Sequence, residues 1–335
     1  MTELLKPRAA AVGVKAAVIS PASTPDAAKV ARGMEALRTL GFLPIESPHM
    51  LTRGPLYFAG TAEQRLFDLH AAFADESVRV LFATRGGYGS NYLLEGLDMD
   101  VLAEHPKPVF GYSDLTAIQT TLLDTLNLPS FHGPMVSPDF GREDGVHLTS
   151  LLAALSGEPY KVGKAEGLRL LKPADDGLPV RGTLYGGCLS ILVAMLGTPY
   201  EPQTEGKLLF LEDVGTKPYQ IDRMLWQLQQ AEKLDGVKGI VFGEMLDCVS
   251  PGAPPELLDE VILKALEEFS GPVAIGLRSG HVSRANVTLT MGVMAELETG
   301  LDAASGSAAS GSAASGSAAA NGPELRLLEP AVERE

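Results

Sequence analysis

Cysteine is scarce in this chain: two among 335 residues, Cys188 and Cys248. They stand in no pairing or metal-ligand spacing, which argues against a disulfide-stapled secreted scaffold and against a structural zinc site. A reducing cytoplasm is the expected setting. Positive charge is also in short supply. Lys and Arg number 27 against 42 Asp and Glu, a net charge of −15, so the surface repels phosphate backbones and anionic lipid. Neither a nucleic acid nor a membrane is an expected partner. No apolar run approaches the roughly 20 residues that a membrane-crossing helix needs. Near the N-terminus, Lys6 and Arg8 precede a short apolar stretch over 9–14. Lys15 interrupts it, and Val14 to Ser20 reads as a first buried strand rather than as the core of a secretory signal.

What is present suits a folded enzyme. With 45% hydrophobic residues the chain can bury a sizeable core, and its length suggests two domains. The first half alternates strand and helix patterns. Val18 and Ile19 close the first strand, and Val30, Met34 and Leu37 recur at helical spacing after Pro25 until Gly41. Thr61 caps a second helix carrying Leu66, Leu69 and Phe73. Strands follow at Val78 to Ala83 and Pro108 to Phe110, then a helix to about Asn127 and a short strand from Pro129 to His132. This β-α order predicts a three-layer α/β domain with a parallel sheet over 1–157.

Beyond it, 158–176 has no strong period and reads as a linker. Residues 177–335 form a second, smaller mixed α/β domain. Its strands are expected at Lys207–Leu211, Gly239–Phe242 and Val273–Leu277, with helices around Ile221–Leu228 and Glu256–Phe269. Val287, Leu289, Met291 and Val293 alternate with other residues at period two, as in a half-exposed strand. Within 302–322 the unit Ser-Gly-Ser-Ala-Ala repeats, with no large apolar residue to bury, and predicts a flexible loop. The strand patterns flanking it, Val293–Leu297 and Leu325–Leu328, make it an expanded hairpin connection without chemistry of its own.

The segment from Val109 to Ile118 carries the most chemical information. A short apolar run meets Gly111, Tyr112 and Ser113, and a helical pattern follows with Leu115, Ile118 and Leu122 on one face. An α/β enzyme presents a nucleophilic serine at such a strand-turn-helix junction. Leu115 stands where the hydrolase pattern G-x-S-x-G has its second glycine, so that pattern is half matched. The segment by itself favours the plainer reading, a serine that caps the helix. Arg85-Gly86-Gly87-Tyr88-Gly89 follows another strand end. It lacks the phosphate-loop and dinucleotide-loop patterns, and is either a turn needing positive φ or a set of exposed amides for an oxyanion. A serine nucleophile needs a base and an orienting acid. His281, in a polar loop between apolar strands, and Glu212, at the end of an apolar strand, are candidates. His132 could line the same cleft, and spacing alone does not bring Ser113, Glu212 and His281 together.

Several of these segments, in this order, resemble one family. They are Ala59-Gly60-Thr61 with Arg65, Arg85 to Gly89, Gly111 to Ala117, His132-Gly133-Pro134, Leu211-Glu212-Asp213, Ile221 to Leu225, Gly280-His281 and Asn286. The chain resembles the L,D-carboxypeptidases, serine peptidases that include murein tetrapeptide carboxypeptidases and relatives that inactivate microcin C. The resemblance implies a Ser-Glu-His triad at Ser113, Glu212 and His281, a swivelling β-rich second domain, a homodimer and no cofactor or metal. Gly86, Gly87 and Asp114 would supply oxyanion amides, and Arg85 and Tyr88 would hold polar groups of a small peptide substrate. Murein tetrapeptide in peptidoglycan recycling is the expected substrate. A peptidyl- or aminoacyl-adenylate is the alternative, and a non-catalytic binder of peptidoglycan fragments is an alternative of another class. Two positions depart from the family: Gly186-Gly187 is followed by Cys188 where Asn is common, and Thr216 stands where a second glutamate often follows the first.

Overall fold

The computed structural model describes residues 3–300 and 322–334. Five strands of the first half are β1 (Lys15–Ile19), β2 (Leu43–Glu46), β3 (Val78–Ala83), β4 (Val109–Gly111) and β5 (Ser130–His132). They lie parallel in the order β5-β4-β3-β1-β2. The runs of Ala, Val, Leu and Phe in β1, β3 and β4 are buried, as a sheet covered on both faces requires, while the edge strand β2 is largely exposed. The covering helix Ala27–Thr39 buries Val30, Met34 and Leu37 at the expected spacing. Thr61 closes a capping box with Gln64 at the start of helix Ala62–Ala74. The parallel α/β reading of the first half is correct.

The second half builds a mixed sheet from β6 (Lys161–Val162), β7 (Arg169–Lys172), β8 (Val180–Cys188), β9 (Lys207–Glu212), β10 (Gly239–Gly243) and β11 (Val273–Leu277). With β13 (Met294–Glu298) and β14 (Glu324–Leu327) its order is β6-β14-β13-β8-β9-β10-β11-β7. Strands β8 to β11 are parallel, and the flanking pairs are antiparallel. Two short edge strands, β6 and β7, come from the stretch read as a periodless linker. They are too short for a period to register.

Strand β12 (Leu289–Met291) departs further from expectation. It pairs antiparallel with β5, so a segment from the second half completes the first sheet. Gly292, at φ +96°, then turns the chain into β13 of the other sheet. The alternation over 287–293 is therefore not that of a half-exposed strand: Thr288 and Thr290 are buried along with Val287, Leu289, Met291 and Val293. Strands β13 and β14 pair as the arms of a hairpin, while the Ser/Gly/Ala repeat between them lies outside the described residues.

The long strand β8 couples the two halves of the chain. Three glycines dilute its apolar pattern, which hid it from a periodicity reading, and they let it approach its neighbours closely. A Cβ at Gly186 would sit 2.1 Å from the Phe210 carbonyl oxygen, and one at Gly187 would sit 2.6 Å from Thr116 Oγ1. Cys188 N donates to that same Thr116 hydroxyl at 3.0 Å. In this way β8 clamps the second sheet, with Glu212 beside Cys188 in register, onto the helix Thr116–Leu126 that follows Ser113.

Candidate active site

Ser113 lies two residues past β4, at φ +64°. For an L-residue with a side chain the left-handed region costs about 1–2 kcal/mol, and such strain is what lifts a nucleophile clear of a strand-to-helix turn. The helix-cap role that the sequence also allowed does not occur. A short 3-10 turn, Ser113–Leu115, precedes the α-helix, and neither start carries a side-chain cap hydrogen bond. Among the described residues the Ser113 hydroxyl has no hydrogen-bond partner.

The glycine turn after β3 faces it. A Cβ on Gly86 would fall 2.8 Å from Ser113 Cβ and 3.3 Å from Asp114 N. The Gly86 and Gly87 amides donate no hydrogen bond among the described residues, leaving them free for an anion. The turn is held from behind. Ser90 N donates to the Asp114 carboxylate at 2.8 Å, Tyr88 N donates to Ser23 Oγ at 3.0 Å, and buried Arg65 donates to the Gly89 carbonyl at 2.8 Å. Asp114 thus contributes its side chain as scaffolding, a role its position in the motif did not reveal. Gly86→Ala is expected to displace the nucleophile and to lower kcat about a hundredfold or more, the usual scale for a damaged oxyanion site. Steady-state kinetics beside a melting curve checks it.

Glu212 ends β9 and is 1% exposed. Its Oε2 accepts from His281 Nδ1 at 2.8 Å and from His281 N at 3.1 Å. The Gly280 turn makes this possible. Gly280 sits at φ +91°, and a Cβ there would meet the Glu212 carboxyl carbon at 2.6 Å. Asn286 pins the turn from both sides, accepting from Gly280 N and donating to Gly280 O, each at 3.0 Å. Binding Nδ1 to the acid leaves Nε2 as the free nitrogen of His281. The ring packs edge-on against Tyr112, the neighbour of Ser113, with centroids 5.0 Å apart. The structure thus joins Glu212 to His281 by a hydrogen bond, and joins His281 to the serine turn through Tyr112.

Electrostatics follow from burial and pairing. Burial alone would raise the Glu212 pKa, but the facing imidazoles outweigh it and hold the carboxyl well below its ordinary 4.5. Burial would lower the His281 pKa, but the Glu212 charge and hydrogen bond raise it above its ordinary 6.5. Asp139, missed in the sequence because it sits inside an apolar turn, is pushed up to about 6 by burial and lies beside the Tyr112 hydroxyl.

These shifts set two opposite pH trends. The depressed Glu212 contributes stability above its unfolded value of about 4.5 that is lost on acidification. The raised His281 contributes stability below 6.5 that is lost as pH rises through its folded pKa. Pair stabilisation should therefore be greatest between 4.5 and 6.5, visible in melting temperature against pH. A base, in contrast, must be neutral, so kcat/KM should fall on acidification with a midpoint above 6.5.

Arg85 and Tyr88 are exposed. Arg85 lines a cleft of about 510 Å³ together with Ser23, Tyr57 and Arg53. Arg53 and Arg85 form no ion pair among the described residues. Arg53 carried no motif, and only the fold brings it to this cleft. No group of three or more His, Cys, Asp or Glu able to hold a metal occurs among the described residues.

Residues 16–133 match the LD-carboxypeptidase N-terminal domain, and residues 181–297 match the LD-carboxypeptidase C-terminal domain. The chain belongs to the LD-carboxypeptidase family. It is a serine-type carboxypeptidase, a hydrolase. The chain is 36% identical over 297 residues to a probable murein peptide carboxypeptidase of Bacillus subtilis, covering 88% of this chain and 92% of that protein. It is 36% identical over 206 residues to a murein tetrapeptide carboxypeptidase of Pseudomonas aeruginosa, covering 57% and 64%. Among solved structures, a MccF-like protein from Bacillus anthracis superposes with a TM-score of 0.81 at 26% identity, covering 96% of this chain and 99% of that one. The microcin C7 self immunity protein MccF superposes at 0.77 and 25% identity, covering 87% and 95%. No helix among the described residues is long and apolar enough to cross a membrane.

Proposed function

We propose that this LD-carboxypeptidase hydrolyses the amide before the terminal D-alanine of murein tetrapeptide through Ser113, His281 and Glu212. The observation that carries the reading is the Glu212–His281 pair at 2.8 Å beside a serine held at φ +64°. His281 Nε2 takes the hydroxyl proton as Ser113 Oγ attacks the carbonyl carbon. The amides of Asp114, Gly86 and Gly87 receive the oxyanion. His281 then protonates the amine nitrogen as the C–N bond breaks, and D-alanine leaves. Water, deprotonated by His281, attacks the acyl-serine ester and regenerates Ser113. Glu212 keeps Nδ1 protonated and stabilises the imidazolium formed in each half.

The cleft at Arg85 supports an anionic substrate, since Arg53 and Arg85, without ion-pair partners among the described residues, outnumber the one carboxylate that lines it, Asp26, in a chain of net charge −15. Murein peptides carry several carboxylates, and Tyr88, exposed beside Tyr57, offers a flat contact for the peptide backbone. A second reading, hydrolysis of an aminoacyl- or peptidyl-adenylate, is supported by the likeness to MccF, which has been solved in complex with aspartyl sulfamoyl adenosine. The two are separated by incubating the protein with murein tetrapeptide or with a peptidyl-adenylate and measuring free D-alanine or free nucleotide. D-alanine release from the tetrapeptide alone supports the first reading. Nucleotide release alone supports the second. Binding of the tetrapeptide without turnover of either would make the protein a non-catalytic binder. In the first reading the protein is a cytoplasmic homodimer that recycles murein peptides, and sedimentation at micromolar concentration tests the dimer.

A further inference from the structure

His132 closes β5 with its side chain 0% exposed, and its Nε2 has no hydrogen-bond partner. The Oε1 of Glu212 is likewise buried without a partner. These two atoms face each other at 3.8 Å. Two orphaned buried polar atoms cost free energy in any fold, and their juxtaposition at the carboxylate of the proposed triad gives that cost a use. The other carboxylate oxygen is fully engaged, since Oε2 takes both donors of His281.

The tautomer of His132 follows from its other nitrogen. Nδ1 lies 3.0 Å from Ser279 Oγ, and Ser279 is also 0% exposed. A proton on Nδ1 would turn the Nε2 lone pair toward a carboxylate, which is repulsive. When the Ser279 hydroxyl donates to Nδ1, the proton sits on Nε2 and points at Oε1. The ring cannot turn away easily, because Phe210 packs edge-on at 5.0 Å and Tyr112 lies at 6.0 Å. A shift of about 1 Å brings the pair to hydrogen-bond length.

We propose that His132 is a positioning residue: a second donor, oriented by Ser279, that occupies the free oxygen of Glu212 and tempers its pull on His281. This rests on the triad reading above. A donor on Oε1 draws electron density from the carboxylate and makes it a weaker partner for the imidazolium. His281 then gives up its proton more readily, as a base that must accept and return one in each cycle requires. Other charged or titratable groups also face the pair and are common to all the proteins compared below. They are Asp213 and Asp139 facing His281, Tyr112 with Arg142 beside Asp139, and the thiols Cys188 and Cys248 near Glu212.

The test is an NMR titration of the His281 ring, assigned by its loss in His281→Ala, in four proteins: the unmodified chain, His132→Phe, His132→Gln and Ser279→Ala. Phenylalanine removes the donor, glutamine restores an N–H near the Nε2 position, and alanine at 279 frees the tautomer. The His281 midpoint is expected to rise by about half to one pH unit in His132→Phe, by less in Ser279→Ala, and to stay near the unmodified value in His132→Gln. The acid limb of kcat/KM should move upward with it at unchanged KM. A midpoint that stays or falls in His132→Phe, or moves equally in His132→Gln, overturns the proposal. Should His132→Phe not fold, an unmoved midpoint in Ser279→Ala overturns it as well. The titration needs no substrate. Absent D-alanine release with the expected shift would therefore sink the functional reading and spare this one.

Discussion

Ser113→Ala should lower D-alanine release by about 10⁴- to 10⁶-fold, the scale on which serine hydrolases lose turnover when the nucleophile is removed. The residual activity would come from the amides and the binding cleft alone, with water attacking directly. KM should change little, because the hydroxyl has no ground-state partner among the described residues. A companion substitution separates chemistry from folding. Ser113→Gly should be as inactive, yet at least as stable as the unmodified chain. Glycine occupies φ +64° without the Cβ penalty, a relief of about 1 kcal/mol. A serine kept in a strained conformation at a cost to stability is explained by function and not by packing. Urea unfolding of the three proteins, with D-alanine release measured on the same samples, checks both halves. An active Ser113→Gly would remove the nucleophile from the account.

Glu212→Gln carries the second-largest effect. The glutamine oxygen can still accept from His281 N and Nδ1, with its NH2 group turned toward His132, so the shape is kept while the charge is lost. An uncharged partner no longer stabilises the imidazolium, and kcat is expected to fall about 10⁴-fold, or roughly 5 kcal/mol in the barrier. The pH profile should shift in a definite direction. Without the carboxylate, burial dominates and lowers the His281 pKa, so the acid limb moves below its unmodified position while the plateau drops. Combined with Ser113→Ala the substitution should add almost nothing, because the groups act as a unit. A full additive loss in the double variant would mean that Glu212 serves the fold or the substrate and not the serine.

Much of the site was legible in the sequence because its parts sit at strand ends. Gly111-Tyr112-Ser113 and Arg85-Gly86-Gly87 each follow a run of buried β residues, and a parallel sheet gathers such ends on one edge. Glu212 and His281 were legible through resemblance to a family, since their strands belong to a different sheet and no spacing rule connects them. What stayed hidden was long-range. The return of β12 to the first sheet depends on the bend at Gly292, which falls on an off position of an unbroken alternation and so marks no strand boundary in the sequence. Strand β8 escaped because glycines that permit close approach also erase the apolar pattern that marks a strand. The scaffolding roles of Asp114, Arg65 and Asn286 are contacts of side chain to backbone across loops, and nothing local encodes them.

The most direct test of the central claim is reaction of the protein with a fluorophosphonate, followed by mass spectrometry of its peptides. A serine activated by His281 should carry one phosphonyl adduct, on Ser113, formed at a rate that falls with acidification and is slowed by murein tetrapeptide. The adduct should be absent from His281→Ala. An unmodified Ser113 in protein that releases D-alanine, or an adduct on another residue that abolishes release, would contradict the account.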